Sequence, residues 1–196
     1  APLEFVEKPL HGYALGLTGE HQHENAALAL AALHSAGITL SYETVKAGLG
    51  STSWPGRFER LESGPGAIAA GLVLDIAHNP AAAAALAATW VRKFGEGKAN
   101  LIFGAVESKD IAGILEALLP IADRMHFVPV NSPRALPPAE LATLLPASFP
   151  SVEVHQNLQS AFDVPAALPT LVTGSAFLVG EVKALLDDSP HRPSTQ

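Results

Sequence analysis

Apolar and polar residues alternate in blocks from about residue 70 to residue 187. Five short apolar runs, rich in Val, Ile, Leu and Ala, each precede a segment of helical composition; they are residues 71–76, 100–105, 124–130, 152–155 and 170–173. Short, continuously apolar strands that alternate with helices are typical of a parallel sheet buried on both faces. The helical connections between parallel strands are almost always right-handed, so the pattern predicts an α/β fold with a Rossmann-like, doubly wound sheet.

The segments between these runs carry recognisable helix starts. Asn79 and Pro80 precede the predicted helix 81–90, since Asn caps well and Pro suits the first helical position. The remaining predicted helices are residues 109–119, 139–145, 158–167 and 176–186. One strand is expected to be antiparallel: residues 57–62 pair with residues 67–75 across a Gly- and Pro-rich turn.

The first 50 residues have a different pattern, with two predicted helices and no accompanying set of strands. An Ala- and Leu-rich helix at 24–35 ends at Gly37, and a shorter helix ends near Gly48. A Trp-Pro-Gly turn at 54–56 then separates this part from the strands. The expected organisation is a helical segment at 1–52, a Rossmann-like domain at 53–188 and a disordered tail at 189–196.

Composition narrows the class of protein. Of the 196 residues, 48% are hydrophobic and 16% are charged, which is typical of a globular chain. The formal net charge of −7 argues against nucleic acid or an anionic membrane as a partner. The absence of cysteine excludes disulfides and thiol chemistry and fits a cytoplasmic location. No apolar run approaches the roughly 18–20 residues that span a bilayer, and the start without Met indicates an excised or processed fragment.

Polar side chains follow three of the predicted parallel strands. Asp75 and His78 come after the first, Lys109 after the second and Ser175 after the last. Ligands of open α/β sheets bind at the carboxyl ends of the strands, and helix N-termini there favour anions. The sequence therefore predicts an anion-binding rim, with the substrate unspecified. A purely structural alternative stays open, in which these residues cap helices or lie on the surface.

Two residues outside this rim are also candidates. Arg57 follows the Trp-Pro-Gly turn, and its planar fork suits phosphate or ribose oxygens, although it is also placed to pair with a nearby glutamate. Asn25 lies in the first turn of a helix, where its amide can read an adenine edge or simply cap the helix. His21 and His23 lack i,i+4 spacing and an obvious third ligand, so no metal site is predicted there.

Five motifs occur in order along nearly the whole chain. They are Gly-Glu-His-Gln-x-x-Asn-Ala-Ala (19–27), Pro-Gly-Arg-Phe-Glu (55–59), Leu-Asp-x-Ala-His-Asn-Pro (74–80), Phe-Gly-Ala with Lys-Asp (103–110) and Thr-Gly-Ser-x-x-x-Val-Gly-Glu-Val (173–182). This set resembles folylpolyglutamate synthase/dihydrofolate synthase, a family of the Mur ligase superfamily. The resemblance implies a Mur ligase C-terminal domain fold at 53–188, preceded at 1–52 by the tail of a missing central ATPase domain.

The resemblance also implies roles for six residues. It implies that three residues contact the nucleotide: Asn25 on the adenine side, Arg57 in the interdomain linker, and Asp75. It implies that His78, Ser175 and Lys109 lie near the incoming glutamate and the reacting centre. The family has Asp-Lys-Asp where this chain has Ser-Lys-Asp, so Ser108 is given no role.

The implied reaction is the ATP-dependent joining of L-glutamate to folate or dihydropteroate through an acyl phosphate. ATP and Mg²⁺ are the implied cofactors, and their phosphate cradle and metal ligands are expected in the missing ATPase domain. No Gly-x-x-x-x-Gly-Lys-Ser/Thr occurs in the sequence, so we expect the chain to be inactive by itself. The parent enzyme is expected to act as dihydrofolate synthase, folylpolyglutamate synthase or both.

Three other functions are weighed against this one. A cell-wall ligase acting on a UDP-muramoyl substrate would share the superfamily's fold. A non-catalytic Rossmann-like binding module is the alternative from outside the enzymes. An NAD-dependent oxidoreductase is disfavoured, because no Gly-x-Gly-x-x-Gly follows a predicted strand.

Overall fold

A computed structural model describes residues 6, 8–62, 71–107 and 110–187. The chain divides into two compact units, Ala1–Pro55 and Gly56–Gln196. None of the described helices is both long enough and apolar enough to cross a membrane.

The first unit is built on two helices. Helix α1 spans His21–Ser35, so it begins three residues before the predicted start, and it buries Ala26 and Ala27. Helix α2 spans Tyr42–Ser51 and runs past the predicted end at Gly48. The hydroxyl of Ser41 accepts the N–H of Thr44 and so caps α2, as expected of Ser at this position.

The second unit is a six-stranded sheet with alternating helices. Its elements are β1 Glu59–Leu61, β2 Leu72–Leu74, α3 Pro80–Phe94, β3 Ala99–Phe103, α4 Ile111–Leu118, a 3₁₀ turn Leu119–Ile121, β4 Ala122–Phe127, α5 Pro138–Thr143, β5 Val152–Val154, α6 Leu158–Phe162, β6 Thr170–Thr173 and α7 Ala176–Leu186. The strand order is β1-β2-β6-β3-β4-β5. Strand β1 pairs antiparallel with β2, and the other neighbours are parallel. The predicted mostly parallel sheet with one antiparallel strand is confirmed.

Two apolar layers cover the two faces of the sheet. On one face α3, α4 and α5 pack around Trp90, Phe103 and Phe127. On the other face α6 and α7 pack around Ile102, Phe162 and related residues. Because both faces are buried, the strands are apolar at nearly every position, which is why they read as continuous runs in the sequence.

Several predicted helix bounds were wrong. Helix α6 ends at Phe162 rather than 167, because Pro165 disfavours helical backbone just before it. Helix α3 continues to Phe94 and stops at Gly95, whose φ is +62°. Helix α4 begins at Ile111 with Asp110 as its cap, whose carboxylate accepts the N–H of Gly113.

Candidate functional site

The carboxyl ends of β2 and β6 form a shared rim. Leu74 of β2 lies opposite Val172 of β6 in parallel register. Beyond the strands the pairing continues, since Asp75 N–H donates to the Val172 carbonyl at 3.0 Å and Gly174 N–H to the Ala77 carbonyl at 3.1 Å. Asp75, which follows β2, and Ser175, which follows β6, therefore lie at the same edge of the sheet.

Asp75 is held by two backbone donors. Its Oδ2 accepts the N–H of Phe58 and its Oδ1 accepts the N–H of Ala77, both at 2.9 Å. Burial raises the pKa of the Asp75 carboxyl above its ordinary value, and the two N–H donors and the Arg57 charge oppose that rise. Phe58 adopts a φ of +48°, and the hydrogen bond to Asp75 helps to hold this unusual backbone conformation.

Arg57 lies in a turn that is fixed on both sides. Gly56 donates its N–H to Glu59 Oε2 at 2.8 Å and accepts the N–H of Ile76 at 2.9 Å. Glu59 Oε1 pairs with Lys183 Nζ at 2.7 Å, so the glutamate near Arg57 is engaged with lysine. The Arg57 side chain is exposed. The turn thus presents a guanidinium beside the Asp75 carboxylate.

His78 is exposed next to the start of α3. Its Nδ1 lies 3.0 Å from the Ile76 carbonyl, which only accepts, so Nδ1 carries the proton and Nε2 of the neutral ring is left with its lone pair. Asn79 caps α3, as predicted, by accepting the N–H of Ala82 at 2.8 Å. The imidazole therefore presents an acceptor nitrogen at a helix N-terminus.

Ser175 caps α7 and is only 2% exposed. Its Oγ accepts the N–H of Phe177 at 3.1 Å. The preceding Gly174 has a φ of +106°, and a Cβ there would lie 2.6 Å from Phe103 Cε2 and 2.7 Å from the Gly104 carbonyl oxygen. The rim thus needs glycine at this position so that two strand ends can approach closely.

Thr173 is a rim residue that sequence reasoning missed. Its hydroxyl is fully buried and has no hydrogen-bond partner among the residues that the structure describes. Its position at the end of the last predicted strand, next to Gly174 and Ser175, was the available signal. A buried hydroxyl without a hydrogen-bond partner is costly.

Two predicted site residues remain, Asn25 and Lys109. Asn25 belongs to the first unit, where its amide donates to Gln22 Oε1 at 3.0 Å. It lines a largely apolar cavity of about 240 Å³ together with Leu15, Ala29 and Leu49. Lys109, together with Ser108, lies outside the described residues.

A second polar group, also missed from sequence, lies on β4 and β5. Among residues 6, 8–62, 71–107 and 110–187, only His126, Glu153 and His155 form a trio of ligand atoms within 4.8 Å of one another. Burial lowers the pKa of His126 to about 4, although the Glu153 charge opposes that shift. The available signal was a Glu-x-His pair on one predicted strand and a histidine on another.

Comparison with known proteins gives a consistent result. Residues 56–178 match the model of the family described as Mur ligase, glutamate ligase domain. The dihydrofolate synthase/folylpolyglutamate synthase of Mycobacterium tuberculosis is 37% identical over 202 aligned positions, which cover 90% of this chain and 40% of that protein. The Escherichia coli dihydrofolate synthase/folylpolyglutamate synthase is 33% identical, over 83% of this chain and 38% of that protein. The chain thus spans about two fifths of the length of these relatives.

Solved structures agree with this match. Mycobacterium tuberculosis folylpolyglutamate synthase complexed with ADP and AMPPCP superposes with a TM-score of 0.77 at 33% identity, covering 91% of this chain and 42% of that one. The Yersinia pestis bifunctional enzyme complexed with AMPPNP and a Mn ion gives a TM-score of 0.74 at 31% identity, covering 94% of this chain and 43% of that one.

Proposed function

Because the chain belongs to the Mur ligase family through its glutamate ligase domain, we propose that it serves an ATP-dependent ligase that joins L-glutamate to folate or dihydropteroate. In this reaction ATP phosphorylates a substrate carboxylate, and the glutamate amine then attacks the acyl phosphate. An amide forms, and ADP and phosphate are released. The observation that carries the proposal is the rim at the ends of β2 and β6, where Asp75, His78 and Ser175 lie on adjacent segments.

The rim has the chemistry to receive an anionic amino acid. Helices α3 and α7 both begin at this rim, and the unpaired N–H groups at their N-termini suit a carboxylate. We assign His78 Nε2 as the acceptor of a proton from the incoming ammonium, since Nδ1 is already committed to the Ile76 carbonyl. Ser175 positions the start of α7 through the hydrogen bond from the Phe177 N–H.

Nucleotide contacts are assigned to Asp75, Arg57 and Asn25. The Arg57 guanidinium is exposed beside Asp75 and suits ribose or phosphate oxygens. The cavity beside Asn25 is apolar apart from a few amide and hydroxyl groups, which suits a flat base. Lys109 completes the assignment as a further cation near the reacting centre.

The rim does not fit Mg²⁺ as a resident ion. Both carboxylate oxygens of Asp75 already accept backbone N–H groups, so they are poorly placed to bind a cation. Mg²⁺ also requires oxygen ligands in octahedral geometry. Since the sequence has no P-loop motif, we assign the phosphate cradle and the magnesium ligands to another segment or another chain.

The proposal is tested by comparing the chain with a complete enzyme. The purified 196-residue chain is assayed for glutamate- and pteroate-dependent ADP release, next to a chimaera in which it replaces the aligned part of a full-length relative. We expect no ligation by the chain and ligation by the chimaera. Ligation by the isolated chain, or a chimaera that folds but uses only UDP-muramoyl substrates, would contradict the proposal.

A further inference from the structure

Three polar side chains converge on one face of the β4–β5 pair. His126 of β4 lies opposite Glu153 of β5 in parallel register. His155 follows Glu153 by two residues and so points to the same face of the sheet. His126 is fully buried, whereas the side chains of His155 and Glu153 are 9% and 40% exposed. The trio is therefore buried at His126 and open to solvent at Glu153.

The ligand atoms of this trio lie within 4.8 Å of one another. His126 Nδ1 lies 2.8 Å from His155 Nε2, and Glu153 Oε2 lies 4.0 Å and 3.9 Å from these two nitrogens. One ion can reach all three atoms once the two imidazole nitrogens, now at hydrogen-bond distance, move apart, since zinc bonds to imidazole nitrogen and carboxylate oxygen are about 2.1 Å long. We propose that His126, Glu153 and His155 bind a divalent transition-metal ion of the zinc class.

Neighbouring polar groups orient two of the three ligands. The Asn100 carbonyl oxygen lies 2.8 Å from His126 Nε2, so that nitrogen carries the proton and Nδ1 turns its lone pair toward the trio. Asn100 is held in turn by its Nδ2, which donates to Thr170 Oγ1 at 3.4 Å. The Arg124 guanidinium lies 3.5 Å from Glu153 Oε1, which leaves Oε2 for the histidines. Outer partners of this kind are a regular part of metal sites.

The donor set selects the type of ion. Two imidazoles and one carboxylate suit zinc and related transition metals, whereas Mg²⁺ and Ca²⁺ prefer oxygen. Metal binding displaces the proton between the two imidazoles: His155 Nε2 releases it to solvent, and His155 Nδ1 takes one up. Three protein ligands leave room for a water molecule on the open side.

The ion would stabilise the edge strand β5 against β4. Strand β5 has three residues and pairs only with β4 in the sheet order of the described structure. Val152 and Val154 are 38% and 47% exposed, so apolar burial contributes little to holding this strand. A metal ion that joins His126 of β4 to Glu153 and His155 would stabilise this edge.

The test uses the whole chain, stripped with a chelator and titrated with Zn²⁺ by equilibrium dialysis, and with Co²⁺ for its visible absorption. We expect one tight equivalent, cobalt bands typical of nitrogen and oxygen ligands, and a raised thermal midpoint. His155→Asn and Glu153→Gln should each weaken binding by at least about tenfold, the loss that even an outer partner's removal produces. Circular dichroism checks that both variants fold.

A matched control addresses the histidines of the first unit. The rings of His11 and His23 lie 5.4 Å apart, with Glu20 4.0 Å from His11. The double variant His11→Asn/His23→Asn should still bind one tight equivalent of Zn²⁺ per chain. Loss of zinc uptake in this control, uptake unchanged in both trio variants, or no tight uptake by the unaltered chain would overturn the site.

Discussion

The carboxylate of Asp75 accepts the backbone N–H of Phe58 at 2.9 Å, which ties the end of β2 to the residue that precedes β1. The same carboxylate accepts the N–H of Ala77 with its other oxygen. One side chain therefore fixes both the turn that carries Arg57 and the segment that leads to His78. Asp75 is the structural centre of the rim as well as a proposed nucleotide contact.

Replacing Asp75 should cost stability for this reason. Asp75→Ala leaves two N–H groups without their acceptor, and each unsatisfied group costs roughly 1–3 kcal/mol when buried. We expect a loss on the order of 2–4 kcal/mol by urea denaturation. Asp123→Ala, at an exposed position on β4, should stay within about 0.5 kcal/mol of the unaltered chain. Equal losses in the two variants would contradict the bridging role.

The close approach of strand ends at Gly174 gives a second prediction. Gly174→Ala places a Cβ against Phe103 and the Gly104 carbonyl, so we expect a loss above about 4 kcal/mol or failure to fold. Gly71 has a similar φ of +94°, but a Cβ there meets nothing nearer than 3.7 Å. Gly71→Ala should therefore cost only about 1–2 kcal/mol. If thermal melts show the same loss of stability for Gly174→Ala and Gly71→Ala, the crowding around Gly174 is disproved.

Two helix caps, one at the proposed site and one away from it, allow effects on stability and on turnover to be told apart. Ser175 caps α7 and Asn157 caps α6 in the same way, through a side-chain oxygen that accepts a backbone N–H. Replacing either by Ala should cost about 1 kcal/mol. In the chimaera, Ser175→Ala should lower the turnover number, while Asn157→Ala should leave it unchanged. Equal turnover numbers would show that Ser175 only caps its helix.

Acid should destabilise the metal-free protein through His126. Its pKa is about 4 in the folded chain and near 6.5 when unfolded, so the unfolded state binds the extra proton first. The stabilisation is complete above pH 6.5 and is lost as the pH falls toward 4, by roughly 3 kcal/mol in total. Urea denaturation in chelator at several pH values measures this loss. His126→Gln should lose less stability over the same range, and an identical acid loss would refute the assignment.

The sheet was predictable because its strands are buried on both faces. Runs such as 71–76 and 170–173 are continuously apolar, and the common edge formed by the carboxyl ends of parallel strands follows from topology. The common sheet edge of Asp75, His78 and Ser175 was predicted in this way, and their roles stay predictions. The positive φ of Phe58 was not predictable, since it depends on a hydrogen bond to a residue seventeen positions away.

The trio on β4 and β5 was missed for a related physical reason. His126 and Glu153 meet only once the pairing and register of the two strands are known, and the sequence pattern did not supply that pairing. The sequence drew attention to His21 and His23 instead, because they are close in sequence. Spacing along the chain is a poor guide when the ligands come from neighbouring strands.

The central claim is that the rim at the ends of β2 and β6 takes part in glutamate ligation. The most direct measurement is the steady-state ligation rate of the chimaera with His78→Asn, set against Glu153→Gln on the far strand pair. We expect His78→Asn to lower the turnover number by about 100-fold or more, in the range for general acid–base catalysis, while Glu153→Gln retains the unaltered rate. A folded His78→Asn chimaera with unchanged turnover number and unchanged KM for L-glutamate would contradict the claim.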